Sequence, residues 1–254
     1  MKMIVVDLDG TLLNSSKQID DYSVEVLSEV MKNGHIIVFA TARPYRDIKR
    51  ILPDNLNKNV VICYNGATVI SDDKVLFEKG ITYSVTRNIL NHFLDHNYYQ
   101  ICLEINDKLY SNFNTKEFFG SSEFELIDLN TFDYDLVHKI IVCSKDGIKQ
   151  RIVDNIPTEC SPVITDDATL CQIMSTNISK WNAIEYLIEM YGVQRSNIIS
   201  FGNDFNDFEM IKYSSVGVAM GNAIDELKEI ANYITTDNDN YGVARYLKGS
   251  VLNA

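Results

Sequence analysis

Apolar runs and polar breaks alternate along the first third of the chain. The runs MIVVDL, HIIVFAT and NVVICYNG begin at residues 3, 35 and 59 and are typical of buried strands. Between them, residues 22–33 have the apolar spacing of a helix, and a short helix is expected after Pro44. This alternation predicts βαβ crossovers and a parallel sheet.

The last quarter of the chain repeats the pattern. The helix SKWNAIEYLIEMYG is followed by strand NIISFGND, helix DFEMIKY, strand SVGVAM, helix AIDELKEIA and a final short strand and helix. The two ends of the chain therefore predict one α/β unit, a doubly wound Rossmann-like parallel sheet formed by residues 1–80 and 173–254.

The middle of the chain, residues 81–172, has a more antiparallel pattern. A helix, SVTRNILNHFLDHN, precedes the strands YQICLEI and KLYSN, which the dipeptide ND separates as in a hairpin. Strand LVHKIIVCS, helix DGIKQRIVDNI and two strand-like stretches follow. The pattern predicts an inserted α+β domain, and no Gly/Ser/Pro-rich linker marks its edges.

Composition narrows the classes of partner. The formal net charge of −12 argues against a general binder of nucleic acid or of anionic membranes, which need basic patches. No run of 18 apolar residues is present, and the chain enters its first strand without the pattern of a signal peptide. We therefore expect a cytoplasmic protein, and a small anionic substrate stays possible because one local cation can bind it.

The number and spacing of the cysteines argue against disulfide bonds. They are odd in number and widely spaced, and most lie inside apolar runs, at positions 63, 102, 143, 160 and 171. We expect reduced thiols in the core rather than disulfides or a zinc site.

Polar clusters follow several predicted strands, where open α/β sheets place their ligand sites. They are Asp7 with Asp9, Thr41 with Arg43, Lys180 at a helix start, and the segment GNDFND at residues 202–207.

The first cluster suggests metal-assisted phosphoryl chemistry. In an extended segment Asp7 and Asp9 point to the same side, while Leu8 packs beneath. Two neighbouring carboxylates repel and need a cation, and oxygen-only ligands favour Mg²⁺. Asp7 is then placed to attack a phosphoryl group and Asp9 to move protons, with Gly10 allowing the tight turn.

Thr41 and Lys180 each have two interpretations. The Thr41 hydroxyl suits a phosphate oxygen, although taken alone it is more typical of a cap for the following helix. Lys180 is expected at a helix N-terminus, where the helix dipole disfavours a cation. A lysine there indicates an anionic partner, although an exposed lysine is the commoner explanation for a single case.

Together these segments resemble a known family. DLDGTLLN, ATARP, YNGA, SKWNAI, GNDFNDFEM and VGVAMGNA occur in the order, and at roughly the spacing, of the haloacid dehalogenase (HAD) superfamily phosphatases, specifically the Cof-like sugar-phosphatase branch. The resemblance covers both core segments. The inserted segment is similar to that branch's α/β cap domain in position and length.

The resemblance implies Mg²⁺ as cofactor and a role for each matching residue. Asp7 matches the aspartate that is phosphorylated, Asp9 the general acid/base, and Thr41 and Lys180 the groups that hold the phosphoryl oxygens. The residues implied to contact substrate or phosphate are Leu8, Gly10, Thr41, Ala42, Arg43, Asn65, Lys180 and Asn206. Those implied at the metal site are Asp7, Asp9, whose backbone carbonyl reaches Mg²⁺, Asn203, Asp204 and Asp207.

One position departs from the family pattern. The branch usually reads Gly-Asp-x-x-Asn-Asp, whereas here Gly202 is followed by Asn203 and then Asp204. By register Asn203 takes the ligand position, and its amide oxygen adds no negative charge. The alternative, in which Asp204 takes over, stays open at this point.

The resemblance implies a Mg²⁺-dependent phosphomonoester hydrolase acting on a small phosphorylated metabolite, with sugar phosphates as the family analogy. Two alternatives remain: a phosphomutase with the same intermediate, and a non-hydrolytic phosphoacceptor or sugar-phosphate sensor. Asp9 argues against a sensor, because a stable phospho-signal has no use for a second carboxylate that activates water.

Overall fold

The computed structural model describes residues 1–94, 100–120, 123–131 and 133–253. The chain divides into two compact units, Met1–Glu78 with Ser179–Ala254, and Lys79–Ile178. The second unit extends past the boundary expected at residue 172 because the strand Leu170–Ser175 pairs along its whole length with a neighbour in that unit's sheet.

The first unit is built on a large sheet. Across the sheet, its eight strands in the described residues are Tyr233–Ile234, Val216–Ala219, Ile198–Gly202, Met3–Asp7, Ile36–Ala40, Val60–Cys63, Thr68–Ser71 and Lys74–Glu78. The first six are parallel to one another, which confirms the predicted doubly wound parallel sheet. Their shared direction brings the carboxyl ends of these strands to one edge.

The last two strands of this sheet form an antiparallel hairpin that the sequence analysis did not predict. Thr68–Ser71 pairs with both Val60–Cys63 and Lys74–Glu78. The turn consists of Asp72 and Asp73, both with positive φ, as a tight two-residue turn requires. Asp tolerates this conformation, so the dipeptide between two apolar runs was an available signal.

Helices flank the sheet of the first unit. In the described residues they are Asp21–Lys32, Tyr45–Ile51, Lys180–Tyr191, Phe208–Tyr213, Asp225–Ile230 and Gly242–Leu247. The helix that begins at Lys180 has both ends defined: the Ser179 side chain accepts from the Asn182 amide, and Gly192 ends the helix in the left-handed conformation. These caps fix Lys180 in the first turn.

The first strand of this unit lies in the core and ends in a buried carboxylate. All five residues of Met3–Asp7 are buried. One face packs against Trp181, Ile184 and Leu187 of the helix that begins at Lys180. The same helix that covers the strand therefore carries the lysine.

The second unit contains a mainly antiparallel sheet. Within the described residues its order is Cys160–Thr165, Leu170–Ser175, Lys139–Cys143, Gln100–Ile105, Lys108–Ser111 and Glu125–Leu126, and Ile81–Thr82 pairs separately with Leu136–Val137. The predicted ND hairpin is confirmed: Asn106 and Asp107 both have positive φ between paired strands.

The helices of this unit are Tyr83–Leu94, Lys116–Phe119 and Gln150–Val153, as far as the chain is described. Residues 95–97 of the first predicted helix and residue 99 of the next strand lie outside the described residues. The helix expected over residues 146–156 is shorter because Gly147 has positive φ and the Ile148 amide bonds to the Ala168 carbonyl instead. No helix among the described residues of either unit is long and apolar enough to cross a membrane.

The cysteines agree with the expectation from sequence. All five are free and buried, which confirms that they are core thiols. Burial raises the pKa of Cys160 and Cys171 to about 11, which keeps both thiols protonated at neutral pH.

Candidate active site

A buried lysine joins two carboxylates at the carboxyl edge of the parallel strands. The Lys180 ammonium donates to Oδ1 of Asp7 and to Oδ1 of Asp207, each at 2.6 Å. The side chains of Lys180 and Asp207 are fully buried and that of Asp7 is 6% exposed. The lysine at the helix start therefore has the anionic partners that its position indicated.

Burial and neighbouring charges shift the pKa values of Asp7 and Lys180. Burial, and next the Asp207 carboxylate, raise the pKa of Asp7 to about 7 despite the opposing effect of Lys180. Burial alone would lower the pKa of Lys180, but the carboxylates of Asp207 and Asp7 outweigh it and raise that pKa. Lys180 is therefore a fixed cation at neutral pH.

Both carboxylate oxygens of Asp207 accept hydrogen bonds. Its Oδ1 accepts from Lys180, and its Oδ2 accepts from the backbone amides of Asn203 at 2.8 Å and Asp204 at 3.1 Å. Asp207 therefore fixes both the ammonium and the backbone that carries Asn203.

Asp9 has different partners from Asp7. Both of its oxygens accept from the guanidinium of Arg43, at 2.7 and 2.6 Å, and Oδ1 also accepts from Lys17 at 3.1 Å. Burial alone would raise the pKa of Asp9, but the hydrogen bonds from Arg43 and Lys17 outweigh it and lower that pKa. Asp9 is held ionised by a two-pronged contact, so Arg43 contacts a carboxylate here.

The turn after the first strand positions both aspartates. Leu8 is fully buried, as expected, and Gly10 has a φ of +77°. The amides of Leu12 and Leu13 donate to the carbonyls of Asp7 and Leu8. The turn thus needs a glycine at residue 10 and is tied back onto the strand end.

The turn after the second strand brings further predicted residues to this edge. Thr41 is buried, and its hydroxyl accepts from the Arg43 amide; Pro44, not Thr41, is the N-cap of the next helix. Ala42 lies half-buried between Thr41 and Arg43. The structure therefore does not use Thr41 as the cap of that helix.

Asn65 and Asn206 are joined by their amides. The Asn206 side chain donates to Oδ1 of Asn65 at 3.0 Å. Asn65 and the preceding Tyr64 both have positive φ, and the Asn65 amide donates to the Thr41 carbonyl. Non-glycine residues held in this conformation are a recognised feature of functional loops.

The side-chain amide of Asn203 lies beside this group, against oxygen atoms of Asp7, Asp9 and Thr11. The inward end of the Asn203 side-chain amide lies 2.9 Å from the Asp9 carbonyl oxygen and 3.2 Å from Oδ2 of Asp7, and the amide is well hydrogen-bonded there when that end is its NH₂ group. The Thr11 hydroxyl lies 2.9 Å from the same end of the amide. With the NH₂ inward the amide satisfies its neighbours by hydrogen bonds, whereas with its oxygen inward it would form an oxygen cluster that suits a hard cation.

Asp204 does not join this oxygen cluster. Its carboxylate accepts from the Phe205 amide at 2.7 Å, as the N-cap of the short helix Phe205–Asp207, and the residue is exposed. Among the described residues, no group of three or more His, Cys, Asp or Glu side chains could hold a metal ion. The cluster instead combines one carboxylate with a carbonyl and an amide.

Sequence reasoning missed the residues that support this edge. Thr11 contacts Asn203, and Lys17 contacts Asp9. The Asn222 amide donates to the Gly10 carbonyl at 2.8 Å. Asn222 lies in VGVAMGNA, just after the parallel strand Val216–Ala219, so its place after a strand end was an available signal.

Comparison with known proteins identifies the family. The model of haloacid dehalogenase-like hydrolases matches residues 4–247. The 5-amino-6-(5-phospho-D-ribitylamino)uracil phosphatase YitU of Bacillus subtilis is 26% identical over 259 residues, covering 97% of this chain and 96% of that protein.

Solved structures show the same fold. TM0651 from Thermotoga maritima has a TM-score of 0.87 at 23% identity, covering 98% of this chain and 97% of its own. The HAD subclass IIB sugar phosphatase BT4131 has a TM-score of 0.78 at 20% identity, covering 98% of each chain. With the family match over nearly the whole sequence, the chain belongs to the haloacid dehalogenase-like hydrolases and is a phosphatase of that family.

Proposed function

We propose that this phosphatase is a Mg²⁺-dependent phosphomonoester hydrolase that acts on small phosphorylated metabolites, sugar phosphates above all, through an aspartyl-phosphate on Asp7. The observation that carries the proposal is the contact of Lys180 with Asp7 at 2.6 Å. It supports a nucleophile whose charge is balanced by a buried, permanent cation.

In the first half of the proposed reaction, an oxygen of Asp7 attacks the phosphorus atom. The bond from phosphorus to the leaving oxygen breaks, and Asp9 gives that oxygen its proton. Because Asp9 is ionised while it contacts Arg43, this step requires it to leave that contact and to take up a proton from solvent first. Lys180 stabilises the negative charge that spreads over the phosphoryl oxygens.

In the second half, water attacks the phosphorus atom of the aspartyl-phosphate. Asp9 takes the proton of the water, the bond from phosphorus to the Asp7 oxygen breaks, and inorganic phosphate leaves. Asp9 must leave its contact with Arg43 at least in part to do this, since both its oxygens are engaged in the structure.

The donor set fits Mg²⁺. With its oxygen turned inward, Asn203 would join the Asp9 carbonyl and Oδ2 of Asp7 as a third oxygen donor. We assign the metal site to these three residues, with Asp207 acting through Lys180 and the Asn203 backbone, and we leave Asp204 out because its carboxylate caps a helix. When bound, Mg²⁺ supplies positive charge that offsets repulsion between Asp7 and the phosphoryl oxygens.

The remaining predicted residues are proposed to hold the phosphoryl group. Thr41 offers a hydroxyl, and the turn from Leu8 to Gly10 offers backbone amides. The amide pair of Asn65 and Asn206 presents further donors, because the bond between them uses only one N–H and one oxygen. Arg43 acts on Asp9.

Substrate choice is proposed to depend on the inserted unit, by analogy with the cap domains of the resembling branch. The relative YitU is named for a phosphorylated ribityl compound, and BT4131 is named a sugar phosphatase. Both names describe phosphates on polyhydroxylated carbon chains, which supports this class as the first to test.

The proposal is tested by phosphate release from a panel of sugar phosphates, sugar-alcohol phosphates and p-nitrophenyl phosphate. Each is assayed with Mg²⁺ and with EDTA, using the wild type and Asp7→Asn. We expect release with Mg²⁺ only and from the wild type only. Release that EDTA does not affect, or that Asp7→Asn retains, would contradict the proposal.

The same assay separates the alternatives. A phosphomutase would move the phosphoryl group within the sugar and release little inorganic phosphate. A sensor would bind the sugar phosphate without turnover. We favour hydrolysis because Asp9 lies two residues from Asp7 and supplies the acid/base that water attack needs.

A further inference from the structure

The side chain of Asn203 occupies a position where either of its two ends could face inward. It contacts Asp7, the Asp9 carbonyl and Thr11. An aspartate can present only oxygens when ionised, whereas an asparagine presents an oxygen or an NH₂ group.

The two orientations suit two different states of the site. With the NH₂ inward, the amide donates to the Asp9 carbonyl at 2.9 Å, to Oδ2 of Asp7 at 3.2 Å and to the Thr11 hydroxyl at 2.9 Å. With the oxygen inward, it accepts from Thr11 but opposes the other two oxygens. The first orientation closes the site by hydrogen bonds, and the second is favourable only beside a cation.

Space for the change is present next to Asn203. A Cβ atom at residue 10 would lie 2.6 Å from the outward end of the Asn203 amide. Because residue 10 is glycine, either end of the amide can occupy that place without a clash.

The formal charge of the site also affects how tightly it binds a metal. Asp7, Asp207 and Lys180 form a buried group with two carboxylates and one ammonium, which leaves one negative charge. A divalent cation changes that charge to +1. With an aspartate at residue 203 the values would be −2 and 0, so asparagine weakens the attraction for the metal and strengthens that of the metal-loaded site for a phosphate dianion.

We propose that Asn203 is a metal-dependent switch: its NH₂ closes the metal-free site, and Mg²⁺ binds only as the amide turns its oxygen inward. The switch rests on the proposed function, and it shifts binding free energy from the metal to the phosphoryl group. The protein is therefore expected to be stable without metal and to load Mg²⁺ weakly until phosphate is present, since the two ligands favour each other's binding.

The test measures binding without turnover. Mg²⁺ is titrated into the full-length wild type and Asn203→Asp, followed by melting temperature, with inorganic phosphate absent or present. We expect the midpoint for Mg²⁺ to be at least about tenfold lower in Asn203→Asp, because added ligand charge tightens hard-cation binding. At saturating Mg²⁺, inorganic phosphate should bind more tightly to the wild type.

A spectroscopic readout follows the amide itself. The side-chain ¹H–¹⁵N resonances of Asn203 are identified by their absence from the Asn203→Asp spectrum. In EDTA we expect slow hydrogen exchange at this NH₂, and Mg²⁺ should shift the resonances and speed the exchange. Asp204→Asn is the matched control: it removes the neighbouring carboxylate but keeps a good N-cap, so both readouts should stay as in the wild type.

The outcomes separate the switch from the proposed function. Equal Mg²⁺ midpoints in wild type and Asn203→Asp, or Asn203 resonances that Mg²⁺ does not move, overturn the switch while leaving a Mg²⁺-dependent phosphatase intact. A wild type that binds no Mg²⁺ with or without phosphate overturns both. A changed midpoint in Asp204→Asn equal to that in Asn203→Asp also overturns the switch.

Discussion

Lys180 and Asp7 are 173 positions apart in the chain, yet the ammonium of one lies 2.6 Å from a carboxylate oxygen of the other. The same ammonium contacts Asp207, and the Lys180 side chain is fully buried. One cation therefore compensates the charge of two buried carboxylates. The same contact matters for the stability of the first unit and for its proposed chemistry.

Removing that cation should destabilise the first unit. We expect Lys180→Met to lower its free energy of unfolding by about 3–5 kcal/mol, because the variant leaves buried carboxylates uncompensated. Trp181, the single tryptophan, lies in the same helix and reports urea unfolding by fluorescence. As a control, Lys248→Met removes an exposed ion pair with Glu29 and should hardly move the midpoint. Similar midpoints for the two variants would contradict the burial argument.

Asp7→Asn should abolish turnover without lowering the stability of the metal-free protein at pH 8. Burial raises the pKa of Asp7 from 3.8 to about 7, so the ionised group costs stability above pH 7. That cost disappears as the pH falls through 7 towards 4, because the folded protein takes up the proton first.

The measurement is the melting temperature in EDTA at pH 8 and pH 5. Asp7→Asn should match or exceed the wild type at pH 8, and this advantage should shrink at pH 5. The difference in melting temperature between Asp7→Asn and the wild type is the quantity to compare at the two pH values. If this difference were smaller at pH 8 than at pH 5, the predicted pH dependence would have the wrong sign and the argument would be refuted.

Arg43 should act through Asp9. Arg43→Lys keeps the positive charge but loses the two-pronged contact with both Asp9 oxygens. Because a lysine cannot orient the Asp9 carboxylate in the same way, we expect kcat to fall about tenfold for alkyl phosphates, whose leaving oxygen needs a proton from a correctly placed Asp9, and less for activated aryl phosphates. Asp9→Asn should show the same preference more strongly. Equal losses on both kinds of substrate would assign Arg43 to another role.

Gly66 should be far less replaceable than Gly34. Both have positive φ, but a Cβ at Gly66 would lie 2.1 Å from the Ser179 carbonyl oxygen, whereas one at Gly34 meets nothing within 4 Å. Gly34→Ala should cost about 1 kcal/mol of unfolding free energy for its backbone conformation. Gly66→Ala should cost more than about 3 kcal/mol, because it also displaces the start of the helix that carries Lys180. Urea unfolding followed at Trp181 compares them, and equal costs would contradict the packing argument.

Local patterns were sufficient to predict the parallel sheet and most of its helices. Buried strands such as Met3–Asp7 are continuous apolar runs, and the ND hairpin is a property of two adjacent residues. The hairpin Thr68–Glu78 was missed because its turn, Asp72 with Asp73, was not recognised as a two-residue turn signal.

Partnerships between distant residues could not be predicted in this way. The contacts of Asp9 with Arg43 and of Ser15 with Asp239 join segments whose spacing carries no periodic signal. The register of residues 202–207 left either Asn203 or Asp204 as the metal ligand; in the structure Asp204 is extended and caps the helix that starts at Phe205. The Asp204 carboxylate lies away from the Asn203 amide because it caps this helix, and the order of residues alone did not reveal that.

The central claim is that Asp7 carries the phosphoryl group during turnover. Wild type and Asp9→Asn are quenched in acid while hydrolysing a sugar phosphate, reduced with borohydride, digested and analysed by mass spectrometry. We predict conversion of the Asp7 side chain to that of homoserine, with a larger fraction in Asp9→Asn because water attack is slowed. Reduction at a different residue, or none while phosphate is being released, would contradict the account.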